Sequence, residues 1–293
     1  MATLRELKGR IGSVKSSEKI TGAMKMISSA KMHKAEQSLR KLLPFRAQIQ
    51  TIIGNLLSAD AEFSSPLTES REVKHIAIVV FGSDDGLCGA YNINIFKGLL
   101  LSLNGYREKY GENVDFTLYP VGMKMFKAVS KLAGAHIKVV RPGNVSSKSD
   151  GKAVKDFTFE LRQQYLDGII DMLGIVYMSY KSVSKQVLRT EQLLPIVPDT
   201  LTDNDVKVLC RPYIFEPDPN TIFNSVLPLF ILSVMQEVFT ENRASEQAAR
   251  VMAMQSANDN AKKLMEQLQL EYNKLRQQAI TSELLDILGG QVK

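Results

Sequence analysis

The stretch Val251-Met-Ala-Met-Gln-Ser-Ala-Asn-Asp-Asn-Ala-Lys-Lys-Leu-Met-Glu-Gln-Leu-Gln-Leu-Glu-Tyr-Asn-Lys-Leu275 places apolar side chains at Val251, Met254, Ala257, Ala261, Leu264, Leu268, Tyr272 and Leu275. Steps of three and four make one stripe along a helix, at the spacing a two-stranded coil requires. The pattern extends outward from about Asn220 to Leu288 without a glycine, with Pro228 near its start, and Gly289-Gly290 forms a C-terminal breaker. These limits predict a helix of about 65 to 70 residues, near 100 Å long. Such a helix needs a partner.

The opposite end of the chain supplies one. From Leu4 to about Asp60, apolar positions recur at Leu4, Leu7, Ile11 and Val14, then Ile20, Met24 and Ile27, then Leu39, Leu42, Ile49, Ile53 and Leu56. They predict a second helix of about 80 Å. Pro44 removes a backbone donor and should bend it near Arg40 or Lys41. Small residues in Ser28-Ser-Ala-Lys-Met32 and Ala244-Ser-Glu-Gln-Ala-Ala249 let the helices approach closely. Close approach there buries little area, at roughly 25 cal/mol per Å². A rod of this kind needs something around it.

Apolar runs at His75–Phe81, Phe116–Val121, His136–Val140 and Gly174–Tyr180 read as strands. Helical patterns at 94–110, 123–132 and 155–173 alternate with them, which argues an α/β layer with mostly parallel pairing. Val187–Leu194 reads as an antiparallel edge strand, and Val206–Leu209 and Tyr213–Phe215 as short elements before the last helix. The expected fold class is therefore α/β: a long antiparallel coiled coil of N- and C-terminal helices on a Rossmann-like α/β domain. Its expected units are residues 1–60, 61–219 and 220–293.

The chain has 293 residues, 44% hydrophobic and 23% charged, which is the composition of a folded protein rather than a disordered one. Its longest unbroken apolar runs fall far short of the roughly 20 residues that cross a bilayer. The start Met1-Ala-Thr-Leu-Arg-Glu-Leu7 lacks a signal-peptide core and reads as an unprocessed cytoplasmic N-terminus. Of the net charge of +6, residues 1–60 carry +7, residues 61–219 zero and residues 220–293 −1. A basic helix can meet nucleic acid, anionic lipid or an acidic protein surface, and charge alone does not choose among them.

Phe81-Gly-Ser-Asp-Asp-Gly-Leu-Cys-Gly-Ala-Tyr91 is the most enzyme-like feature, a glycine-rich turn after a strand. Its spacing matches neither dinucleotide-binding nor phosphate-loop fingerprints, and Asp84 and Asp85 would repel a phosphate. A tight strand-to-helix turn is the better reading. Cys88 has no nearby His, and Cys88 and Cys210 cannot form a four-ligand zinc site. His33 reads as a solvated helix residue, while His75 and His136 begin strands with no ligand at metal spacing. No nucleophile, base and orienter assemble, so neither catalysis nor a cofactor or metal is expected. The absence of aromatic residues in residues 1–40 argues against nucleic acid.

Two helix surfaces remain. Lys19-Ile-Thr-Gly-Ala-Met-Lys-Met-Ile-Ser-Ser-Ala-Lys-Met32 carries a Met-rich face flanked by Lys25 and Lys31. Met stripes usually serve cores, but soft side chains also suit a surface that repacks against several partners. Asn273-Lys-Leu-Arg-Gln-Gln-Ala-Ile-Thr281 places Arg276 and Gln277 as a donor pair near the far end.

With Gly86-Leu-Cys-Gly89, Glu216-Pro-Asp-Pro219, Ala244-Ser-Glu-Gln-Ala-Ala-Arg250, Met252-Ala-Met254 and Ile280-Thr281, these motifs resemble, in order and over essentially the whole chain, the gamma subunit of the bacterial F-type rotary ATP synthase. The resemblance implies a non-catalytic rotor in the central stalk, coupling ion-driven c-ring rotation to conformational cycling of alpha and beta subunits, with the active sites on beta. It implies alpha, beta, epsilon and the c-ring as partners. It also implies a peripheral location at the cytoplasmic side of the bacterial inner membrane, with membrane association only through the c-ring. Met24 and Lys25 resemble the face that meets an acidic lever of beta. Arg276, Gln277 and Thr281 resemble the contact called the catch, and Tyr213 and Glu216 the foot near the c-ring and epsilon. Asp85 stands where many relatives carry Arg, so a basic lever contact from that loop does not transfer. The chloroplast-type cysteine insertion is absent, which implies no thiol switch.

Overall fold

The computed structural model describes residues 3–57, 63–143, 145–149, 151–197 and 215–290. Helix α1 spans Leu4–Leu57. Its first turn is closed by a capping box in which the Thr3 amide donates to Glu6 Oε2 at 2.9 Å and the Glu6 amide donates to Thr3 Oγ1 at 3.3 Å. The expected bend does not interrupt it, for the helix runs through Pro44. Pro44 lies on the exposed side, where water can meet the carbonyl it leaves free.

Strands β1 (His75–Phe81), β2 (Asp115–Val121), β3 (Ile137–Val139), β4 (Met172–Tyr180) and β5 (Gln186–Leu194) form one sheet in the order β3-β2-β1-β4-β5. All neighbours are parallel except β4 and β5, which pair antiparallel at the edge. Helices α2 (Tyr91–Tyr110) and α3 (Met123–Val129) cover one face with Ile95, Leu99, Leu103 and Met125 over Ile76, Ile78 and Val80. The other face takes α4 (Gly151–Leu166), the end of α1 and the start of α5 (Pro219–Gly290), burying Ile53, Phe157, Phe230 and Met235 against Ala77, Val79 and Phe81. Burial on both faces explains why β1 is an unbroken apolar run.

Several expected boundaries move, among them the starts of α2 and α4, which lie at Tyr91 and Gly151. The helix expected to reach Leu173 ends at Leu166, because Gly168 at φ +72° closes it: the Ile169 amide donates to the Gln164 carbonyl and the Gly168 amide to the Tyr165 carbonyl. β4 accordingly starts at Met172. At the other end, α5 continues through Gly289-Gly290. Val206–Leu209 and Tyr213 lie outside the described residues.

Asp218 caps α5, accepting from the Thr221 amide at 2.9 Å and the Thr221 hydroxyl at 2.6 Å, with Pro219 in the first helical position where no amide is needed. An 18-residue window of α5 has a mean hydropathy of 1.6, enough by length and composition to cross a bilayer. Half of it is buried, and α5 residues such as Leu227, Ile231 and Val234 belong to the sheet core. Unbroken runs miss this window because polar residues interrupt it.

Beyond the sheet, α5 pairs with α1 antiparallel. Arg46 pairs with Glu237 near the domain, and Asn258 donates to the Glu18 carbonyl farther out. The seam is narrow, with Ser28, Ala35, Ala244, Ser245 and Ala248 all buried. Past Leu275, every described side chain through Leu288 is exposed except the half-buried Ala279.

Candidate functional site

The glycine-rich turn after β1 folds back onto α5. Leu87 and Gly89 take φ near +60°, and Ser83 is fully buried with its amide donating to Asn92 Oδ1. Asp84 does not face a ligand: its carboxylate accepts from the Met123 amide, the Ser147 amide and the Ser147 hydroxyl. Asp85 pairs with Lys148 at 2.7 Å, which holds the Asp85 carboxyl below its ordinary range and the Lys148 ammonium above its own. The basic charge that the turn lacks thus arrives from the neighbouring 146–149 segment. Cys88 is buried and contacts Ser83 Oγ and Asn92 Nδ2 through its sulfur.

Arg250 is 6% exposed and donates to the Asp85 and Gly86 carbonyls and, at 2.8 Å, to Glu246. Burial raises the Glu246 carboxyl, and the hydrogen bond from Arg250 opposes that shift. Between α1, this turn and α5 lies a groove of about 540 Å³, walled by Met24, Ile27, Lys31 and Lys34 on one side and by Leu87 and Lys148 on the other. Soft apolar groups beside the Lys31 and Lys34 ammonium groups suit an acidic segment that also carries apolar side chains.

Of the residues singled out in the sequence, Met24 is half-buried and lines this groove, whereas Lys25 is half-buried and does not. Arg276, Gln277 and Thr281 sit together on the bare tip of α5, exposed, with the Thr281 hydroxyl donating to the Gln277 carbonyl. About 26 residues separate Arg276 from Arg250, so the two regions lie roughly 40 Å apart along the helix. Glu216 is exposed just before α5, and Tyr213 lies outside the described residues. Lys34, Lys148 and Arg243 escaped the sequence reading because they come from separate segments with no shared motif. His75 and His136 do share a carboxylate that spacing along the chain does not reveal: Asp115 lies 2.8 Å from His136 and 3.7 Å from His75. Among the described residues no set of three or more His, Cys, Asp or Glu side chains is placed to hold a metal ion.

The sequence model of the family described as ATP synthase matches residues 3–292. Proteins named ATP synthase gamma chain are 42% identical in Phocaeicola vulgatus, over 293 residues, and 39% identical in Bacteroides thetaiotaomicron, over 302; both alignments cover 100% of each chain. This chain belongs to the ATP synthase gamma chain family. As a gamma-family chain it is a non-catalytic central-stalk subunit of ATP synthase. Its fold matches the rotor of the Euglena gracilis mitochondrial ATP synthase, with a TM-score of 0.60 at 19% identity over 94% of this chain and 98% of that one. It also matches a chain of the Tetrahymena thermophila mitochondrial central stalk and c-ring, with a TM-score of 0.55 at 24% identity over 81% and 99%.

Proposed function

We propose that this subunit turns inside a ring of alternating alpha and beta subunits, coupling ion-driven rotation of a membrane c-ring to the conformational cycle of beta and so to ATP synthesis. The observation that carries the reading is the axle itself: two antiparallel helices from the chain's ends, with Ile280, Leu284, Leu285, Ile287 and Leu288 bare at the tip. A single helix exposing that much apolar surface needs a sleeve. A rod with unequal sides in a threefold socket favours a different beta conformation at each orientation, because its differential contacts shift the populations of the three sites.

In this reading Met24 and Lys25 meet the acidic lever of beta, with Lys31 and Lys34 adding charge along the groove that Met24 lines. Arg276, Gln277 and Thr281 hold beta carboxylates by charge-assisted hydrogen bonds at the catch. Tyr213 and Glu216 belong to the foot near the c-ring and epsilon. The complex sits on the cytoplasmic side of the bacterial inner membrane, which this chain reaches only through the c-ring.

The test is a bead fixed to the α/β domain of the subunit in an assembly with alpha and beta. The bead turns while ATP is consumed; one that stays still during hydrolysis overturns the proposal. For the contact residues, Met24→Lys and Arg276→Ala lower ATP-driven ion pumping in membrane vesicles. Unchanged pumping in both removes those assignments.

A further inference from the structure

A rotor has to carry torque between its α/β domain and its axle, and directional contacts add to what close packing transmits. The hydrophobic contact between α5 and the sheet is non-directional, whereas hydrogen bonds are angular and fix orientation. Apart from Asn220 and Asn224, which bond the main chain of Ser64 where α5 begins, the side-chain hydrogen bonds from α5 to the loops of the domain gather, among the described residues, around Asn242, Arg243 and Arg250. Asn242, 1% exposed, donates its amide to the Gly82 carbonyl at 3.1 Å and accepts from the Tyr91 hydroxyl through its side-chain oxygen. Arg243 donates to the Ser147 carbonyl at 3.3 Å and the Ser149 carbonyl at 2.8 Å. Arg250 donates to the Asp85 and Gly86 carbonyls.

The two loops held in this way are joined to each other by Asp84 to Ser147 and by Asp85 to Lys148. The contacts therefore close a ring: axle, 82–89 turn, 146–149 segment, axle. Its inner links are shielded from water, with Ser83, Ser147 and Asn242 each 1% exposed or less, while the Asp85–Lys148 pair lies at the surface. Turning the helix within the domain would break several of these bonds at once and strand their partners in a dry site.

We propose that Asn242, Arg243 and Arg250 form a clasp that fixes the axle against rotation relative to the α/β domain, and that torque between the two passes through it. These are positioning residues, and the inference rests on the rotor reading above. The clasp works as a unit, so weakening one strand of it loosens the whole.

The test uses the complete synthase in inverted membrane vesicles, reading ATP hydrolysis together with ion pumping by a potential-sensitive dye, which responds whichever ion is moved. Arg250→Ala and Asn242→Ala lower pumping per ATP several-fold with the subunit still in the complex, and Arg250→Lys restores part of the loss. Arg243→Ala supplies the same readout if the more buried changes prevent assembly, because its side chain is only half-buried. A lock is also available. A Cβ on Gly89 would lie 3.7 Å from the Ala253 Cβ, within the usual disulfide range of about 3.5–4.5 Å. Gly89 stands at φ +60°, where a side chain is strained, so the reduced chain is the reference: with Cys88 and Cys210 changed to Ala and Gly89→Cys and Ala253→Cys added to Arg250→Ala, oxidation raises pumping per ATP and reduction reverses the gain. Pumping per ATP that is unchanged in all assembled clasp variants, or an oxidised lock that pumps no better than its reduced form in the Arg250→Ala chain, overturns the clasp alone. A complex with the unaltered chain that hydrolyses ATP without pumping overturns the rotor reading itself.

Discussion

The side-chain amide of Asn258 donates to the main-chain carbonyl of Glu18 at 2.7 Å, crossing from the C-terminal helix to the backbone of the N-terminal one. Gly22 makes room for it: a Cβ there would sit 3.4 Å from Asn258 Nδ2. A single polar contact in a coil seam sets register, because sliding either helix by a turn leaves it unpaired. Asn258→Ala should lower the unfolding free energy by about 1 kcal/mol, the net worth of one such bond. Urea unfolding of the purified chain measures this, and a midpoint equal to that of the unaltered chain removes the register role.

Ser245 is the opposite case. It is fully buried in the seam, and its hydroxyl has no hydrogen-bond partner among the described residues. An unsatisfied buried hydroxyl costs about 1–3 kcal/mol, and Ala also has the better helix propensity. Ser245→Ala should therefore stabilise the chain by about 1 kcal/mol, on the conservative side of that range. Thermal unfolding shows the sign directly.

Gly98 on α2 lies against β5, where an added Cβ would fall 2.3 Å from Leu188 Cδ2 and 3.1 Å from Leu188 Cγ. The clash reaches past the end of the side chain, so Gly98→Ala should destabilise by about 1–3 kcal/mol, as overpacked cores do. Leu188→Ala in the same chain removes the clashing atoms. A double-mutant cycle should show strong coupling between the two positions, and additive effects would exclude the close contact.

Glu241 gives a pH dependence. Burial, and then the nearby Glu237 charge, push its carboxyl up to about 7, against the hydrogen bond from Ser179 and the charges of Arg189 and Lys181. Glu237 is itself paired with Arg46 on α1, and Tyr177 and Glu191 flank the site from the sheet. A carboxyl whose folded pKa is raised holds its proton more tightly when folded. Its contribution is thus greatest in acid and is lost as pH climbs from its unfolded value to about 7. Partial solvation reduces the effect to on the order of 1–2 kcal/mol. Glu241→Gln should flatten the fall in melting temperature between pH 5 and 8, and an unchanged slope would show that another group sets it.

The architecture was legible because periodicity carried it. Spacing marked both long helices, and the change from a period near 3.6 to unbroken apolar runs marked the buried strands. What the sequence hid depends on three-dimensional closure. The end of α4 was misplaced by seven residues because apolar Ile169, Ile170, Met172 and Leu173 continue a helical-looking pattern, while the stop is the backbone geometry of Gly168. Asp84 and Asp85 looked like a reason to reject phosphate. Their positive role, joining Ser147 and Lys148 to the turn, needs a partner some 63 positions away. Arg250 ends the motif Ala244-Ser-Glu-Gln-Ala-Ala-Arg250, but nothing local shows that its guanidinium reaches Gly86, 164 positions earlier.

The pairing of the first helix with the last also has a consequence for biosynthesis. α1 leaves the ribosome early, with Leu7, Met32, Leu39, Ile49 and Ile53 still uncovered, and its helical partner begins only at Pro219. At about 5–20 residues per second, translation needs roughly 8–30 s to bridge that gap. Throughout that interval the nascent chain carries a long half-made amphipathic helix, a client for whatever shields such surfaces at the tunnel exit, and the finished shaft can close only as synthesis ends.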